Sequence, residues 1–163
     1  MPSPRRRVRL LVTLLAAGAM ASVAGGALRR RASAGADVVD ANDPRLDVRL
    51  AAPTVVRASV TVSLMGYAIA RPFCERIEEI ARRDGADALV MDMSSLSKAT
   101  PAAGLYAMKR LRSLPLRRIA LLRGNRFMRA FASTVLTLGR FPEFRFFDGE
   151  ETAVQWASAR TTT

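Results

Sequence analysis

Residues 88–104 of this chain read ALVMDMSSLSKATPAAG, and the order of residue types in this stretch decides the fold. The opening apolar run ends in Asp92 and does not alternate apolar with polar side chains, which is typical of a strand covered on both faces. A polar loop follows, and Thr100-Pro101 then supplies a helix N-cap and a proline suited to the first helical position. The stretch therefore predicts one strand–loop–helix unit of an α/β fold.

The segments before this stretch predict a pair of strands and a helix. Residues 46–50 alternate apolar and polar side chains and residues 54–65 are rich in β-branched residues, so we expect an antiparallel pair. Pro72 suits the first turn of a helix that ends at Asp84-Gly85. The side chains expected on the buried face of this helix are Phe73, Ile77, Ile80 and Ala81.

The segments after it repeat the order of strand and helix. Residues 116–122 predict a central strand, with one helix before it and another after it that ends at Gly139. The apolar spacing of these two helices predicts inward positions for Leu105, Met108, Leu111, Phe127, Phe131, Val135 and Leu138.

The C-terminal segment predicts a last strand and a last helix. The three phenylalanines at 144, 146 and 147 indicate the strand, and residues 148–151 have the pattern of a capping box. Trp156 on the helix is expected to anchor it in the core. The element order is then β-β-α-β-α-β-α-β-α. We therefore predict an α/β domain with a mixed β-sheet, in which an N-terminal antiparallel strand pair is followed by βαβ units and helices flank the sheet.

Residues 1–36 form a basic and apolar N-terminal extension, and residues 37–163 form the predicted domain. Residues 10–28 are nineteen consecutive uncharged residues, close to the roughly 20 that a helix needs to cross a bilayer. Arginines lie on both sides of the run, so the extension is interpreted as a membrane anchor, as a signal-like leader, or as a miscalled start of translation. The first interpretation leaves a cytoplasmic domain tethered to the inner membrane by residues 10–28, and the second gives an exported domain after signal cleavage.

Charge and composition exclude several classes of function. The formal net charge is +12, but seven of the basic residues lie in residues 1–36, so the domain itself is only mildly basic. The chain has no histidine and one cysteine, Cys74, which is expected to be buried and unreactive. Intrachain disulfides, ordinary zinc sites and histidine-based catalysis are therefore excluded, and we predict no cofactor and no metal.

Asp92 is the first candidate site, because ligands of α/β sheets bind beyond the carboxyl ends of the strands. The loop that follows carries the other candidate binding residues, which are Ser94, Ser95, Ser97, Lys98 and Thr100. One interpretation is structural, with the carboxylate accepting hydrogen bonds from loop amides. The other is a carboxylate-based enzyme, which needs a second acid nearby, and residues 98–147 offer only Glu143.

A basic patch is the second candidate site. Residues 98–145 contain eleven basic residues and one acid, and five of the arginines are expected to cluster around one strand end and the next helix start: Arg117, Arg118, Arg123, Arg126 and Arg129. Such a group is a solvated face, or it contacts an anionic membrane surface or an acidic protein. A nucleic acid is the weaker alternative, because few aromatic side chains are interleaved for base stacking.

The run ALVMDMSSLSKATPAAG resembles the signature loop of STAS domains, the family of anti-sigma-factor antagonists. In that family an apolar strand ends in Asp-x-Ser and leads about eight residues later into Asp-Ser-Ser-Gly at a helix start. The later segments LRRIALLRGNRFMRAF and FRFFDGEETAVQWA resemble the SpoIIAA-like, or STAS/SEC14, branch. The resemblance covers about residues 37–160 and implies a STAS-like fold in a bacterial protein.

The resemblance also carries functional expectations. Asp92 matches the acid that ends the strand, Leu96 matches the apolar residue four positions on, and residues 100–102 occupy the Asp-Ser-Ser positions. The regulatory serine is therefore replaced by Pro101. The resemblance implies a non-enzymatic regulatory domain that binds a protein partner but lacks the phosphoacceptor. Binding of a lipid or another small apolar ligand, in a cavity between the helices at 101–113 and 125–139, is the alternative.

Overall fold

A computed structural model describes Asp40 and residues 42–159, which form one five-stranded sheet with four helices. The interpretations of residues 10–28 lie outside these described residues. The elements are β1 Leu46–Ala52, β2 Val55–Val60, β3 Leu64–Met65, α1 Tyr67–Asp84, β4 Ala88–Asp92, β5 Lys98–Ala99, α2 Pro101–Arg112, β6 Arg118–Leu122, α3 Arg126–Leu138, β7 Glu143–Phe147 and α4 Glu150–Ser158.

The sheet has the strand order β1-β2-β4-β6-β7. β1 pairs with β2 in antiparallel fashion, and all other neighbours are parallel. The predicted fold class is therefore confirmed, including the N-terminal antiparallel pair and the helix crossovers. The predicted strand at 54–65 is divided, because β2 ends at Val60 and the two-residue β3 pairs instead with β5 in a separate ribbon.

The sheet packs between two hydrophobic layers. Helices α1, α2 and α3 cover one face and contribute Phe73, Ile77, Leu111, Met128 and Leu136 to the larger core. Helix α4 packs on the other face, where Ala153 and Ala157 meet side chains of β2, β4 and β6. β4 lies between the two layers and four of its five residues are buried, as its continuous apolar sequence predicts.

Two predicted helix starts are wrong. α1 begins at Tyr67 rather than at Pro72. Proline inside a helix lacks the amide that would donate a backbone hydrogen bond, but the burial of Ala70 in the core favours the additional N-terminal turn. α4 has Gly149 as its N-cap with no side-chain cap, so residues 148–151 are not a capping box. The carboxylate of Asp148 accepts a hydrogen bond from Arg129 instead, at 2.9 Å.

Three predicted core residues are exposed. Leu105 is 60% exposed, and Phe127 and Leu138 are each 53% exposed. In α3, Met128 and Leu136 pack in the core, so that Phe127 and Leu138, which lie on an adjacent side of the helix, face outward. The buried stripe of α3 is therefore displaced from the predicted one.

The predictions for Trp156 and Cys74 have different outcomes. Trp156 is half-buried, with the guanidinium groups of Arg118 and Arg145 at 5.3 and 5.4 Å from the centre of its ring, so its role as a core anchor is only partial. Cys74 is 2% exposed, and burial raises the pKa of its thiol to about 12, in agreement with the predicted buried and unreactive side chain.

Candidate functional site

Asp92 ends β4 at the carboxyl edge of the sheet, and its carboxylate is the centre of a buried polar cluster. Oδ1 accepts a hydrogen bond from the Ser94 amide at 2.9 Å, which confirms the predicted contact with the loop backbone. Oδ2 contacts the guanidinium groups of Arg123 and of Arg57, the latter at 3.6 Å. The side chain of Asp92 is only 6% exposed, so the two arginines supply the compensation that a buried carboxylate needs.

Arg57 extends this cluster to the other layer of the fold. Its guanidinium donates hydrogen bonds to the two carboxylate oxygens of Glu150, at 2.6 and 3.1 Å, and one to Asp47 at 3.1 Å. One side chain on β2 therefore joins β1, β4 and α4. The sequence gives no local signal for this pairing, because Arg57 lies 93 residues from Glu150.

Glu143, the second acid that a carboxylate-based enzyme would need, does not lie beside Asp92. Glu143 lies at the start of β7, at the opposite end of the sheet, and pairs with Arg118 at 3.1 Å. Asp47 and Glu150 share a partner with Asp92, because the guanidinium of Arg57 contacts all three carboxylates. Within residues 40 and 42–159, no three His, Cys, Asp or Glu side chains lie close enough to hold a metal ion.

The pKa of Asp92 makes the stability of the domain depend on pH. Burial alone would raise this pKa, but hydrogen bonds from Ser94 and the charge and hydrogen bond of Arg123 outweigh burial and hold it below its ordinary value of 3.8. A lowered pKa in the folded state means that the stabilisation is present above pH 3.8 and is lost as the pH falls through the folded-state value.

We therefore expect the wild type to lose stability more steeply below pH 4 than Asp92→Asn, which cannot titrate there. Urea unfolding at a series of pH values between 2 and 6 measures the two slopes. Asp148→Asn is the matched control, because its side chain is 93% exposed. Equal slopes for wild type and Asp92→Asn would show that the carboxylate does not ionise preferentially in the folded state.

The loop after Asp92 has a fixed backbone and exposed side chains. The amides of Ser97 and Lys98 both donate to the Ser63 carbonyl, at 2.8 and 3.1 Å, and the Thr100 amide donates to the Met65 carbonyl at 3.0 Å. The side-chain amide of Asn125 reaches the Ser97 carbonyl at 3.3 Å and so joins the loop to α3. The side chains of Ser94, Ser95, Ser97 and Lys98 are all exposed.

Thr100 has a different position from the other candidate loop residues. It is half-buried, and its hydroxyl accepts a hydrogen bond from the Ala103 amide at 3.3 Å as the N-cap of α2. The predicted N-cap and the predicted position of Pro101 at the helix start are therefore confirmed.

The five arginines of the predicted basic patch do not form one cluster. Arg117 and Arg118 lie at the start of β6 and pair with Asp87 and Glu143. Arg123, Arg126 and Arg129 lie beyond its other end, and a five-residue strand separates the two groups by about 16 Å. Arg123 and Arg129 are paired with Asp92 and Asp148. Among the described residues, Arg126 makes no ion pair.

Exposed apolar side chains surround the loop, and the sequence did not single them out. Leu64 and Tyr67 are each 50% exposed, and β3 places Leu64 beside Lys98. The ring of Tyr67 packs edge-on against the ring of Tyr106, with 5.2 Å between ring centres. Tyr106 directly follows the exposed Leu105 in α2. The two-residue strands β3 and β5 create this arrangement, and they are too short to give a periodic signal.

An apolar cavity of about 90 Å³ lies beneath the loop, between α1, α2, α3 and the sheet. Its wall includes Leu96, Gly104, Phe131 and Val135. Gly104 permits the close approach of α2 to α3, since a Cβ atom there would lie 2.6 Å from the ring of Phe131. The cavity occupies the place that the sequence suggested for an apolar ligand.

Comparison with known proteins gives a fold but no family. No protein-family model matches the chain, and no curated protein matches it. The solved structure of the anti-sigma factor antagonist SpoIIAA in its unphosphorylated form aligns with 71% of this chain and 99% of its own, with 15% identity and a TM-score of 0.51. The phosphorylated form of SpoIIAA from Bacillus covers 68% of this chain and 97% of its own, with 16% identity and a TM-score of 0.49.

A third similar structure is an uncharacterized DUF3478-family protein with a SpoIIAA-like fold from Shewanella loihica. It aligns with 69% of this chain and 91% of its own, with 16% identity and a TM-score of 0.49. The described domain therefore has a SpoIIAA-like fold, as the sequence resemblance implied.

Proposed function

We propose that residues 37–163 form a non-enzymatic regulatory domain that binds a protein partner through the loop at 94–100 and the start of α2. The observation that carries this proposal is the combination of a fixed backbone with exposed side chains. Ser63, Met65 and Asn125 hold the loop from both sides, while Ser95, Lys98 and their neighbours face solvent. A loop that is ordered before binding loses little entropy when a partner docks.

The apolar side chains around the loop support the same proposal. Leu64, Tyr67 and Leu105 are at least half exposed next to it. Specific protein interfaces combine an apolar centre with a polar rim, and aromatic residues are enriched at their centres. The SpoIIAA-like fold adds support, because the solved relative is described as an anti-sigma factor antagonist.

The proposed domain does not act through phosphorylation at the position that the resemblance indicates. Pro101 has no hydroxyl, and the hydroxyl of Thr100 caps α2 in a half-buried position. Phosphorylation of Thr100 would require loss of that cap. Ser97 is the exposed hydroxyl nearest to the helix start, so a partner would contact it directly.

The ion pairs at the carboxyl edge support the non-enzymatic part of the proposal. General acid or base catalysis by a carboxyl group needs a raised pKa near the working pH, whereas the pKa of Asp92 is lowered by Ser94 and Arg123 despite burial. A third proposal, a carboxylate-based enzyme, would require Arg57 and Arg123 to release Asp92.

Substitution in the loop should abolish partner capture. We expect Lys98→Glu and Ser97→Arg to reduce the amount of the main partner captured by the purified full chain at least tenfold, because both change exposed side chains without breaking a backbone contact. Quantitative mass spectrometry of captured proteins measures the effect. Gln155→Arg, on the exposed side of α4, is the matched control and should capture as wild type does. Undiminished capture by both loop variants would refute the proposed site.

A small apolar ligand in the cavity is the second candidate function, and the position of the cavity favours it. The cavity of about 90 Å³ is smaller than the roughly 150 Å³ cavity that holds benzene, so a lipid tail does not fit unless α2 and α3 separate. Native mass spectrometry of the purified full chain tests this candidate. A co-purifying lipid would favour it, and a ligand-free chain would count against it.

A further inference from the structure

The outward face of α3 is apolar although solvent surrounds it. Phe127 and Leu138 are each 53% exposed, and Phe131 is half-buried between them. The residues between them on this face, Ala130 and Thr134, are uncharged. A helix that faces water normally places charged and polar side chains on its outer side. We call the residues Phe127, Ala130, Thr134 and Leu138 the α3 stripe, and Phe131 borders it on the core side, in the wall of the cavity.

The α3 stripe is additional to the residues that α3 contributes to the core. Met128 and Leu136 are the buried residues of the helix and point to the sheet. The side chains of the stripe recur at steps of three and four residues on the other side. Helix α3 is therefore apolar on two faces, of which one is buried in the core and the other is exposed.

Basic side chains border the α3 stripe, and acids are absent from its neighbourhood in sequence. Residues 98–142 contain ten basic residues and no acid. Arg126 precedes the stripe and Arg140 follows it, both are exposed, and neither makes an ion pair among the described residues. The exposed Lys109 and Arg112 of α2 lie on the same side of the sheet as α3. The occupant of this face is therefore expected to be anionic.

We propose that the α3 stripe docks on an anionic membrane surface, with the helix lying in the plane of the bilayer interface. Phe127 and Leu138 would enter the headgroup boundary, and Arg126 and Arg140 would contact lipid phosphates at the two ends. An in-plane helix of this kind has an apolar face and basic flanks. The thirteen residues of α3 give it a length of about 20 Å.

Two other occupants fit the α3 stripe less well. A second copy of the chain would bring Arg126 and Arg140 against the same residues of its partner, and like charges in contact oppose association. A specific protein interface buries about 800 Å² on each side. Two half-exposed large side chains fall short of that area, whereas reversible membrane binding needs only a few inserted side chains together with Lys and Arg.

An environment-sensitive fluorophore on α3 tests the proposal in the full chain. Leu138→Cys is labelled with a nitrobenzoxadiazole dye, and the buried Cys74, whose thiol has a raised pKa, stays unlabelled. The expected result is a several-fold rise in emission with vesicles of phosphatidylcholine containing 30% phosphatidylglycerol, and little change with phosphatidylcholine alone. Gln155→Cys, labelled on the opposite side of the sheet, is the matched control and should not respond.

The control separates the α3 stripe from any contribution of residues 10–28. If those residues hold the chain on vesicles, they do so for both labelled proteins, but only a docked α3 changes the dye at position 138. Phe127→Cys provides a second labelled position at the other end of the stripe. Neutralising Arg126 and Arg140 together should weaken partition into anionic vesicles roughly 25-fold, because each Lys or Arg near such a surface contributes roughly fivefold.

If the emission of the dye changes with anionic vesicles at neither position 127 nor position 138, the proposal is overturned. An acidic protein is then the favoured occupant of this face. Equal responses with neutral and anionic vesicles would overturn its electrostatic part. Neither result bears on partner binding by the loop at 94–100. Failure of the membrane-docking proposal is therefore distinguishable from failure of the proposed function. Far-ultraviolet circular dichroism of each labelled protein establishes that it remains folded.

Discussion

Phe73→Ala should lower the free energy of unfolding by about 4 kcal/mol. The ring of Phe73 is 2% exposed and lies in the larger core, where it forms part of the wall of the 90 Å³ cavity. Helix α1 is also held by Ile77 and Ile80, both buried, so the helix cannot move inward to fill the space that the ring leaves. The loss therefore contains both the transfer free energy of the ring and the free energy of an enlarged cavity.

Urea unfolding followed by circular dichroism measures this change, and Leu105→Ala is the control. Leu105 is 60% exposed, so its replacement should change stability by about 0.5 kcal/mol or less. The enlarged cavity of Phe73→Ala should also bind benzene, and saturating benzene should raise the melting temperature of the variant more than that of wild type. A cost for Leu105→Ala as large as that for Phe73→Ala would contradict the packing of α2 described above.

Asp92→Ala should lower the free energy of unfolding by about 3 kcal/mol. The substitution removes the acceptor of the Ser94 amide and the carboxylate between Arg57 and Arg123. Breaking a buried ion pair typically costs about 3–5 kcal/mol, because the remaining charge stays in a poorly solvated place. The lower end applies here, since Arg57 keeps Glu150 and the side chain of Arg123 is 46% exposed.

Chemical denaturation of Asp92→Ala and of Asp148→Ala gives the comparison. Asp148 pairs with Arg129, but its side chain is 93% exposed, so its loss should cost less than about 1 kcal/mol. If both variants lose the same small amount, the Asp92 cluster does not stabilise the domain. The double variant Asp92→Ala/Arg123→Gln should recover part of the loss, because Asp92 is the ion-pair partner of Arg123, whereas Arg57 keeps Glu150 and Asp47.

Sequence reasoning was accurate for three local features, although two other local signals, Pro72 and residues 148–151, misplaced a helix start. The uninterrupted apolar run of β4, the Thr100-Pro101 helix start and the Gly85 helix end are all as predicted. Gly85 has a φ of 65°, a conformation that side chains with a Cβ disfavour. Each of these features depends on a few neighbouring residues, so the local pattern carries the information.

The candidate site was predicted only in part. The contact of Asp92 with the loop was expected, whereas its pairing with Arg57 and Arg123 was not. A cluster of the five arginines was expected, but the length of β6 separates Arg117 and Arg118 from the other three. Sequence proximity misled here because a strand carries neighbouring residues away from each other at about 3.3 Å per residue.

The sequence by itself determined the order of the helices and of the strands of the main sheet, the fold class and the exclusion of histidine-based and disulfide chemistry, because these depend on residue type and spacing. Only the tertiary structure decided which side of each helix faces the core. The sequence of α3 offers two apolar sides, and the contact of Phe131 with Gly104 together with the core contacts of Met128 and Leu136 selects one of them. The other side remains exposed, since the rotation of a helix is set by its contacts with other elements and not by its own residues.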